Sequence, residues 1–136
     1  LMDLGCQELS LGDTIGVGNP ATIHSLLEAC TREIPIAKLA GHYHDTYGMA
    51  IANIYASLQM GMAVFDSSIA GLGGCPYAKG ASGNVATEDV VYLLDGLGIE
   101  TGIDLAKLAV VGDWISSAIN RPNGAKAGRA LCTRTE

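Results

Sequence analysis

Three strand-then-helix units follow one another along this chain at a spacing of about thirty residues, the length of a βαβ unit. We expect strands over 7–12, 36–42 and 63–69, each followed by apolar residues at helical spacing. After the first strand, Asn19 and Pro20 supply an N-cap and a first-turn proline for a helix that should reach Arg32. The pattern predicts an α/β fold with a parallel sheet.

Two further helices are predicted after the third strand. Thr87 should cap the first of them, and Glu88 in its first turn is expected to complement the positive end of the helix dipole. Asp104 should begin the second helix, which ends near Asn120. The tail through Glu136 is small, polar and basic, and we expect it to be loosely held.

The residues of chemical interest stand just after the predicted strands. That arrangement is typical of a (β/α)₈ barrel, whose active sites gather at the C-terminal ends of its strands. Three strands cannot close such a barrel, and the pattern alone would equally allow an open, doubly wound sheet. Sequence reasoning from the residues therefore leaves both architectures open.

Composition excludes several classes of protein. With 136 residues, 49% of them hydrophobic, the chain can build one core, and its net charge of −6 argues against a broad nucleic-acid surface. No apolar run approaches the roughly 18 to 20 residues that span a bilayer. The four cysteines show no CxxC spacing, which disfavours structural zinc and disulfide scaffolds and suits a reducing compartment. Two of them, Cys6 and Cys30, are predicted to be buried apolar filler.

A glycine-rich segment carries one thiol. Gly71, Gly73 and Gly74 precede Cys75, and they leave the backbone free to move and to adopt positive φ. Such a loop can present Cys75 to a ligand and close over it. The segment suggests a lid that carries its own acid.

Two histidines end the second predicted strand. Side chains at i and i+2 of a strand point to the same side, so His42 and His44 should converge and could grip one metal ion. Asn84 could add an amide oxygen or be an ordinary turn residue. Asp13 could be a working carboxylate or could merely cap its turn.

These residues carry a family resemblance. The segments 42–48 (HYHDTYG), 66–78 (DSSIAGLGGCPYA) and 80–84 (GASGN) resemble the hydroxymethylglutaryl-CoA lyases. The resemblance implies a (β/α)₈ TIM barrel of which this chain is the C-terminal portion, followed by a helical extension. Residues 1–102 would be the last three βα units, and residues 103–136 the C-terminal helix and polar tail.

The resemblance also implies roles for individual residues. It makes His42, His44 and Asn84 ligands of a divalent cation, Mg²⁺ or Mn²⁺, and Cys75 the catalytic acid. His42 would also shuttle a proton, and Asp13 would support the substrate or the surroundings of the metal. Gly73 and Gly74 would belong to a loop that contacts the substrate. Asp45 and Asp66 would orient the histidine side chains or the loop amides. Cys132 would form a crosslink between subunits.

The function implied by the resemblance is cleavage of (S)-3-hydroxy-3-methylglutaryl-CoA, an acyl-CoA, to acetyl-CoA and acetoacetate, as in leucine degradation and ketone body formation. The family also uses an arginine and an aspartate on its first strand and a glutamate on its second, which this chain lacks, so the isolated fragment is expected to be inactive. The alternatives are a related synthase that condenses acetyl-CoA with a keto acid, and a non-catalytic barrel fragment. The complete enzyme is expected to be a homodimer in the cytoplasm, or in the mitochondrial matrix of a eukaryote, without nucleic-acid or membrane partners.

Overall fold

The structure is a computed structural model that describes residues 1–74 and 83–133. The chain divides into two compact units. The first covers Leu1–Asp66, and the second covers Ser67–Gly74 together with the described residues from Gly83 onward. Over the described ranges, no helix combines the length and the apolar character that crossing a membrane requires.

The first unit is a parallel sheet with helices between its strands. Its elements are β1 (Leu9–Asp13), α1 (Pro20–Cys30), β2 (Leu39–Tyr43), α2 (Ala50–Gln59) and β3 (Val64–Asp66), with the strands in the order β1-β2-β3. Both strand pairs are parallel. The predicted α/β fold with a parallel sheet is therefore confirmed.

The second and third strands are shorter than the sequence predicts. Residues Ile36–Lys38 form a 3₁₀ turn after Pro35, so β2 begins at Leu39. The strand β3 ends at Asp66, and two residues later Ser68 forms an isolated parallel bridge with Ala86. The apolar residues of both segments led to the longer predicted strands. A strand extends only as far as its backbone is hydrogen-bonded to a neighbouring strand, which apolar content does not show.

Local sequence signals explain the helices of the first unit. Asn19 accepts hydrogen bonds from the backbone N–H groups of Ala21 and Thr22 and forms a capping box, as predicted, although α1 ends two residues before Arg32. The first N–H of α2, that of Ala50, donates to Asp45. The apolar sides of both helices supply buried core residues, together with those of β2: Ile23, Leu27, Leu39, Ala40 and Ile54.

The second unit is helical, with α3 (Thr87–Gly96), α4 (Leu105–Ala118) and α5 (Lys126–Cys132). Asp104 caps α4 through the Lys107 N–H, as predicted. The expectation for Thr87 was wrong, because Ala86 occupies the N-cap position of α3 and no side chain caps it. The Thr87 hydroxyl instead hydrogen-bonds Ser67 at 2.9 Å.

The loosely held tail was also predicted wrongly, since α5 is a helix. Asp89 accepts hydrogen bonds from the N–H groups of Lys126 and Ala127, the start of that helix. A carboxylate at this end satisfies donors that would otherwise have no partner. A long-range contact of this kind leaves no local trace in the sequence, so periodicity could not reveal it.

The two cysteines predicted as buried filler are not fully buried. Cys6 lies exposed in the turn before β1, and Cys30, the last residue of α1, is half-buried. Apolar character favours burial of a cysteine, but both residues lie at the ends of elements, where packing on the core is incomplete.

Candidate functional site

The end of β2 brings the two predicted histidines together. His42 lies in the strand and His44 just after it, and their ring centroids are 5.2 Å apart. Tyr43, between them, points into the core and is 1% exposed. The alternation expected of a strand is therefore observed, and it leaves two imidazoles side by side.

An oxygen atom contacts the Nδ1 atom of each histidine. His44 Nδ1 lies 2.6 Å from the carbonyl oxygen of Thr14, and His42 Nδ1 lies 3.4 Å from Oδ2 of Asp66. A carbonyl oxygen only accepts, so in the neutral ring the His44 proton resides on Nδ1 and Nε2 carries the lone pair. Neither Nε2 atom has a partner within the described residues. Neither Nε2 atom is therefore committed to a contact in this part of the chain, although His44 is only 5% exposed.

Asp13 holds the loop that follows β1. Its two carboxylate oxygens accept hydrogen bonds from the N–H groups of Val17 (3.2 Å) and Gly18 (2.9 Å). These bonds are the turn-capping alternative raised from the sequence. The same loop carries the Thr14 carbonyl that contacts His44, so Asp13 supports that histidine through the backbone.

Asn84 belongs to the second unit and has one amide atom without a partner. Its Nδ2 donates to the Leu72 carbonyl at 3.0 Å, while its Oδ1 is buried and makes no hydrogen bond within the described residues. Burying an amide oxygen that accepts no hydrogen bond costs free energy unless a ligand contacts that oxygen. The atom therefore has the character of an oxygen ligand.

The predicted substrate loop is described only in part. Gly73 has φ +95°, and a Cβ there would lie 2.6 Å from the Nδ2 of Asn84, so glycine suits that position. Gly74, the next residue, is exposed. Cys75, the predicted catalytic acid, lies outside the described residues.

The donor set of the predicted metal site suits a divalent cation. Imidazole nitrogens and amide oxygens are both ligand types that divalent metal ions accept in proteins. Across residues 1–74 and 83–133, no three side chains of histidine, cysteine, aspartate or glutamate come together to hold an ion.

Glu88 is the largest departure from the sequence analysis. It lies in the first turn of α3, as predicted, but it is 0% exposed, and the Ala70 N–H donates to both of its oxygens, at 3.0 and 2.9 Å. Burial raises the pKa of this carboxyl above its ordinary value. Gly112 and Gly128 make room for it, and a Cβ on Gly112 would overlap its Oε1. These two glycines were the only sequence signal that a side chain would be enclosed here.

A buried polar pair on α2 was also missed. Asn53 and Ser57 are both 0% exposed and stand one turn apart. The Asn53 amide donates to the Gly18 carbonyl at 3.0 Å, and the Ser57 hydroxyl bonds Tyr43 at 2.8 Å. Polar residues at i and i+4 within an apolar helical stripe were the available signal.

Two other predictions concern single side chains. His24 is exposed beside Glu28, in keeping with a surface residue. Cys132, expected in an accessible tail, is half-buried on α5, and its Sγ donates to the Ala109 carbonyl at 3.6 Å. The sequence analysis predicted no helix in this tail. Packing of α5 reduces the accessibility of the Cys132 thiol.

Comparison with known proteins gives consistent matches. The HMGL-like family model matches residues 1–115. The mitochondrial hydroxymethylglutaryl-CoA lyase of Arabidopsis thaliana is 63% identical over 134 residues, which are 98% of this chain and 29% of that protein. The curated relatives compared are covered over at most 45% of their length, so the chain spans less than half of each.

Two solved structures have the same fold. The hydroxymethylglutaryl-CoA lyase from Pseudomonas aeruginosa aligns with a TM-score of 0.92 and 58% identity, over 98% of this chain and 44% of that one. An HMG-CoA lyase from Acinetobacter baumannii, in complex with coenzyme A and 3-methylmalate, aligns with a TM-score of 0.89 and 33% identity, over 95% and 42%.

Proposed function

This chain belongs to the HMGL-like family, a TIM-barrel family, and we propose that the complete protein carrying it cleaves (S)-3-hydroxy-3-methylglutaryl-CoA to acetyl-CoA and acetoacetate. Relatives that are 58–63% identical to it are named as lyases of this kind. Because the chain spans less than half of those relatives, the activity is proposed for the complete protein and not for this part alone.

The observation that carries the proposal is the histidine pair. His42 and His44 lie side by side, their Nδ1 atoms contact oxygen atoms, and their Nε2 atoms have no partner within the described residues. Oxygen contacts of this kind orient metal-binding histidines and select the nitrogen that ligates. With Asn84 as the oxygen donor, the three residues would hold Mg²⁺ or Mn²⁺ in our proposal. Such an ion orients substrate oxygens and lowers the cost of negative charge that develops on the thioester.

The protein's own residues would move two protons. Cleavage begins when the tertiary hydroxyl of the substrate loses its proton, which we assign to Nε2 of His42 once its contact with the ion has loosened, with Asp66 placed 3.4 Å from Nδ1 to pair with the imidazolium. The carbon–carbon bond then breaks, acetoacetate forms, and the electron pair remains on the acetyl-CoA carbon. The Cys75 thiol would protonate that carbon, and the loop with Gly73 and Gly74 would exclude water.

We further propose that the three strands are the last three of the barrel, within residues 1–102, and that residues 103–136 are the C-terminal helical part. In support, α4 and α5 follow α3 with no further strand in the described residues 105–133. Additional βα units encoded after Glu136 would contradict this assignment. A homodimer, a Cys132 crosslink, and a location in the cytoplasm or the mitochondrial matrix stay predictions.

A condensing synthase that joins acetyl-CoA to a keto acid is the second candidate, since the histidine pair would serve it as well. The Gly73-Gly74-Cys75 segment favours the lyase, because an acid on a glycine loop suits protonation of a carbanion. A chain without catalytic activity is the third possibility. One assay of the complete protein, measuring acetoacetate release and acetyl-CoA consumption, separates the three.

The test of the catalytic acid uses Cys75→Ser in the complete protein. We expect kcat for cleavage to fall by about 10²- to 10⁴-fold with little change in KM, which is the range for loss of a general acid. Cys6→Ser, at an exposed cysteine, is the matched control and should keep wild-type kinetics. An unchanged kcat in Cys75→Ser would remove the thiol from the mechanism.

A further inference from the structure

We propose that Asn53 is a positioning residue for His44, acting through the loop 13–18. The inference rests on the proposed function, in which His44 holds a divalent cation. Asn53 lies on α2, and its amide donates to the Gly18 carbonyl at the end of this loop. Its effect would pass through the loop backbone to the Thr14 carbonyl, which contacts Nδ1 of His44 at 2.6 Å.

Gly18 is the point where Asn53 holds the loop. Its carbonyl accepts from Asn53 Nδ2 at 3.0 Å, and its N–H donates to Asp13 Oδ2 at 2.9 Å. Asp13, the last residue of β1, ties Val17 and Gly18 back to the strand, and Asn53 ties Gly18 to α2. Without Asn53, the Gly18 carbonyl would lose the side chain that holds it.

The loop is also packed closely against the residues that follow His44. Gly16 is buried with φ +66°, and a Cβ on it would lie 2.5 Å from Oγ1 of Thr46. Thr14 stands between this packed glycine and the end of β1, so its carbonyl cannot move independently of the loop. A shift at Gly18 would therefore alter the contact that orients the His44 ring.

The hydrogen bonding of Asn53 supports a role beyond filling the core. Its Oδ1 is buried and accepts no hydrogen bond within the described residues, although burying an unsatisfied amide oxygen is unfavourable. Ser57, one turn later and equally buried, bonds both the Tyr43 hydroxyl and the Asn53 carbonyl. An apolar side chain would fill the position of Asn53 without an orphaned oxygen, but it could not hold Gly18.

The experiment compares Asn53→Ala and Asn53→Ser with the matched control Ser57→Ala in the complete protein. Serine is included because its hydroxyl can hydrogen-bond the helix backbone, which leaves no buried polar side chain without a partner. Two measurements are made: the His44 tautomer by ¹⁵N NMR in metal-free protein, and the Kd for Mn²⁺ by electron paramagnetic resonance of the free ion.

We expect wild type and Ser57→Ala to keep the His44 proton on Nδ1 and to bind Mn²⁺ with the same Kd. Both Asn53 variants should show mixed tautomers and a Kd raised by about 10- to 100-fold, the usual effect of losing an outer partner of a metal-binding histidine. A general loss of stability would affect Ser57→Ala as well, so the control separates positioning from folding.

Two results would overturn the inference: an unchanged tautomer and Kd in both Asn53 variants, or equal losses in Ser57→Ala. Failure of the proposed function looks different. If the wild-type protein binds no Mn²⁺, the proposed metal site is wrong, while the metal-free tautomer comparison still decides whether Asn53 positions His44.

Discussion

His42 in the first unit and Glu88 in the second are ionisable residues with opposite surroundings. At the end of β2 the His42 side chain remains 38% exposed, and its Nε2 atom has no partner within the described residues. In the second unit Glu88 is 0% exposed, and both of its oxygens accept from the single N–H of Ala70. An ionisable group with an available atom can do chemistry, whereas one enclosed by helices mainly determines which backbone can pack around it.

The comparison also shows how each unit makes room for its polar group. Gly16 lets the loop after β1 approach Thr46, and Gly112 lets α4 approach the Glu88 carboxylate. In the first unit the close approach orients a candidate ligand. In the second unit the close approach holds the Glu88 carboxylate against the N–H of Ala70. Ala70 adopts φ +54°, a left-handed conformation that non-glycine residues rarely take.

Gly112→Ala should produce the largest change in stability and would sharpen this contrast. The added methyl group would overlap Oε1 of Glu88, which is fully buried and has no space to retreat, so we expect a loss of about 3 kcal/mol in unfolding free energy. The measurement is urea unfolding of the complete protein. Gly96→Ala is the control, because a Cβ there meets nothing within 4 Å, and its effect should stay within about 1 kcal/mol. Equal effects would show that the Glu88 pocket is not tightly packed.

Gly16→Ala should have the next largest effect, and it tests the first unit. Gly16 and Gly48 both have positive φ, +66° and +70°, but only Gly16 is crowded by a neighbour. Left-handed strain alone should cost about 1 kcal/mol in Gly48→Ala, and crowding against Thr46 should bring the loss in Gly16→Ala to about 2 kcal/mol. Thermal and urea unfolding of the two variants provide the comparison. A Gly48→Ala variant as unstable as Gly16→Ala would rule out the crowding argument.

The smallest expected effect is the response of Glu88 to pH. Because burial raises its pKa, the folded protein binds this proton more tightly than the unfolded chain does. The resulting stability is present below the ordinary pKa of 4.5 and is lost as pH rises through the raised folded pKa. Glu88→Gln should abolish that decline and, since glutamine keeps one acceptor for Ala70, should change stability by no more than about 1 kcal/mol at any one pH.

The measurement for Glu88→Gln is the urea midpoint of the complete protein across a pH series that begins near 4.5. Asp89→Asn is the control, because it removes a neighbouring acid that bonds α5 and leaves Glu88 in place. The pH-dependent decline should persist in that variant. A decline unchanged in Glu88→Gln would assign it to another group and would break the contrast between the two units.

The sequence predicted those features that depend on neighbours along the chain. The strand pattern placed His42 and His44 on one side of β2, and the Asn19 and Asp104 caps were found where their residue types indicated. The motif resemblance led to the family that the comparisons support. In contrast, the burial of Glu88 in the first turn of α3 was not predicted, because an acid in a first turn looks the same in sequence whether the helix end faces water or another helix.

Sequence alone determined the order of strands and helices as far as α4, the parallel sheet and the residue types available for chemistry, because backbone preferences and apolar periodicity act over a few residues. Only the tertiary structure decided which atoms of each residue form hydrogen bonds and with which partners. It placed the Thr14 carbonyl on His44, the Gly18 carbonyl on Asn53 and the Ala70 N–H on Glu88. Such contacts join residues that are 18 to 35 positions apart, and only the folded chain brings their hydrogen-bonding groups within 3 Å or so of each other.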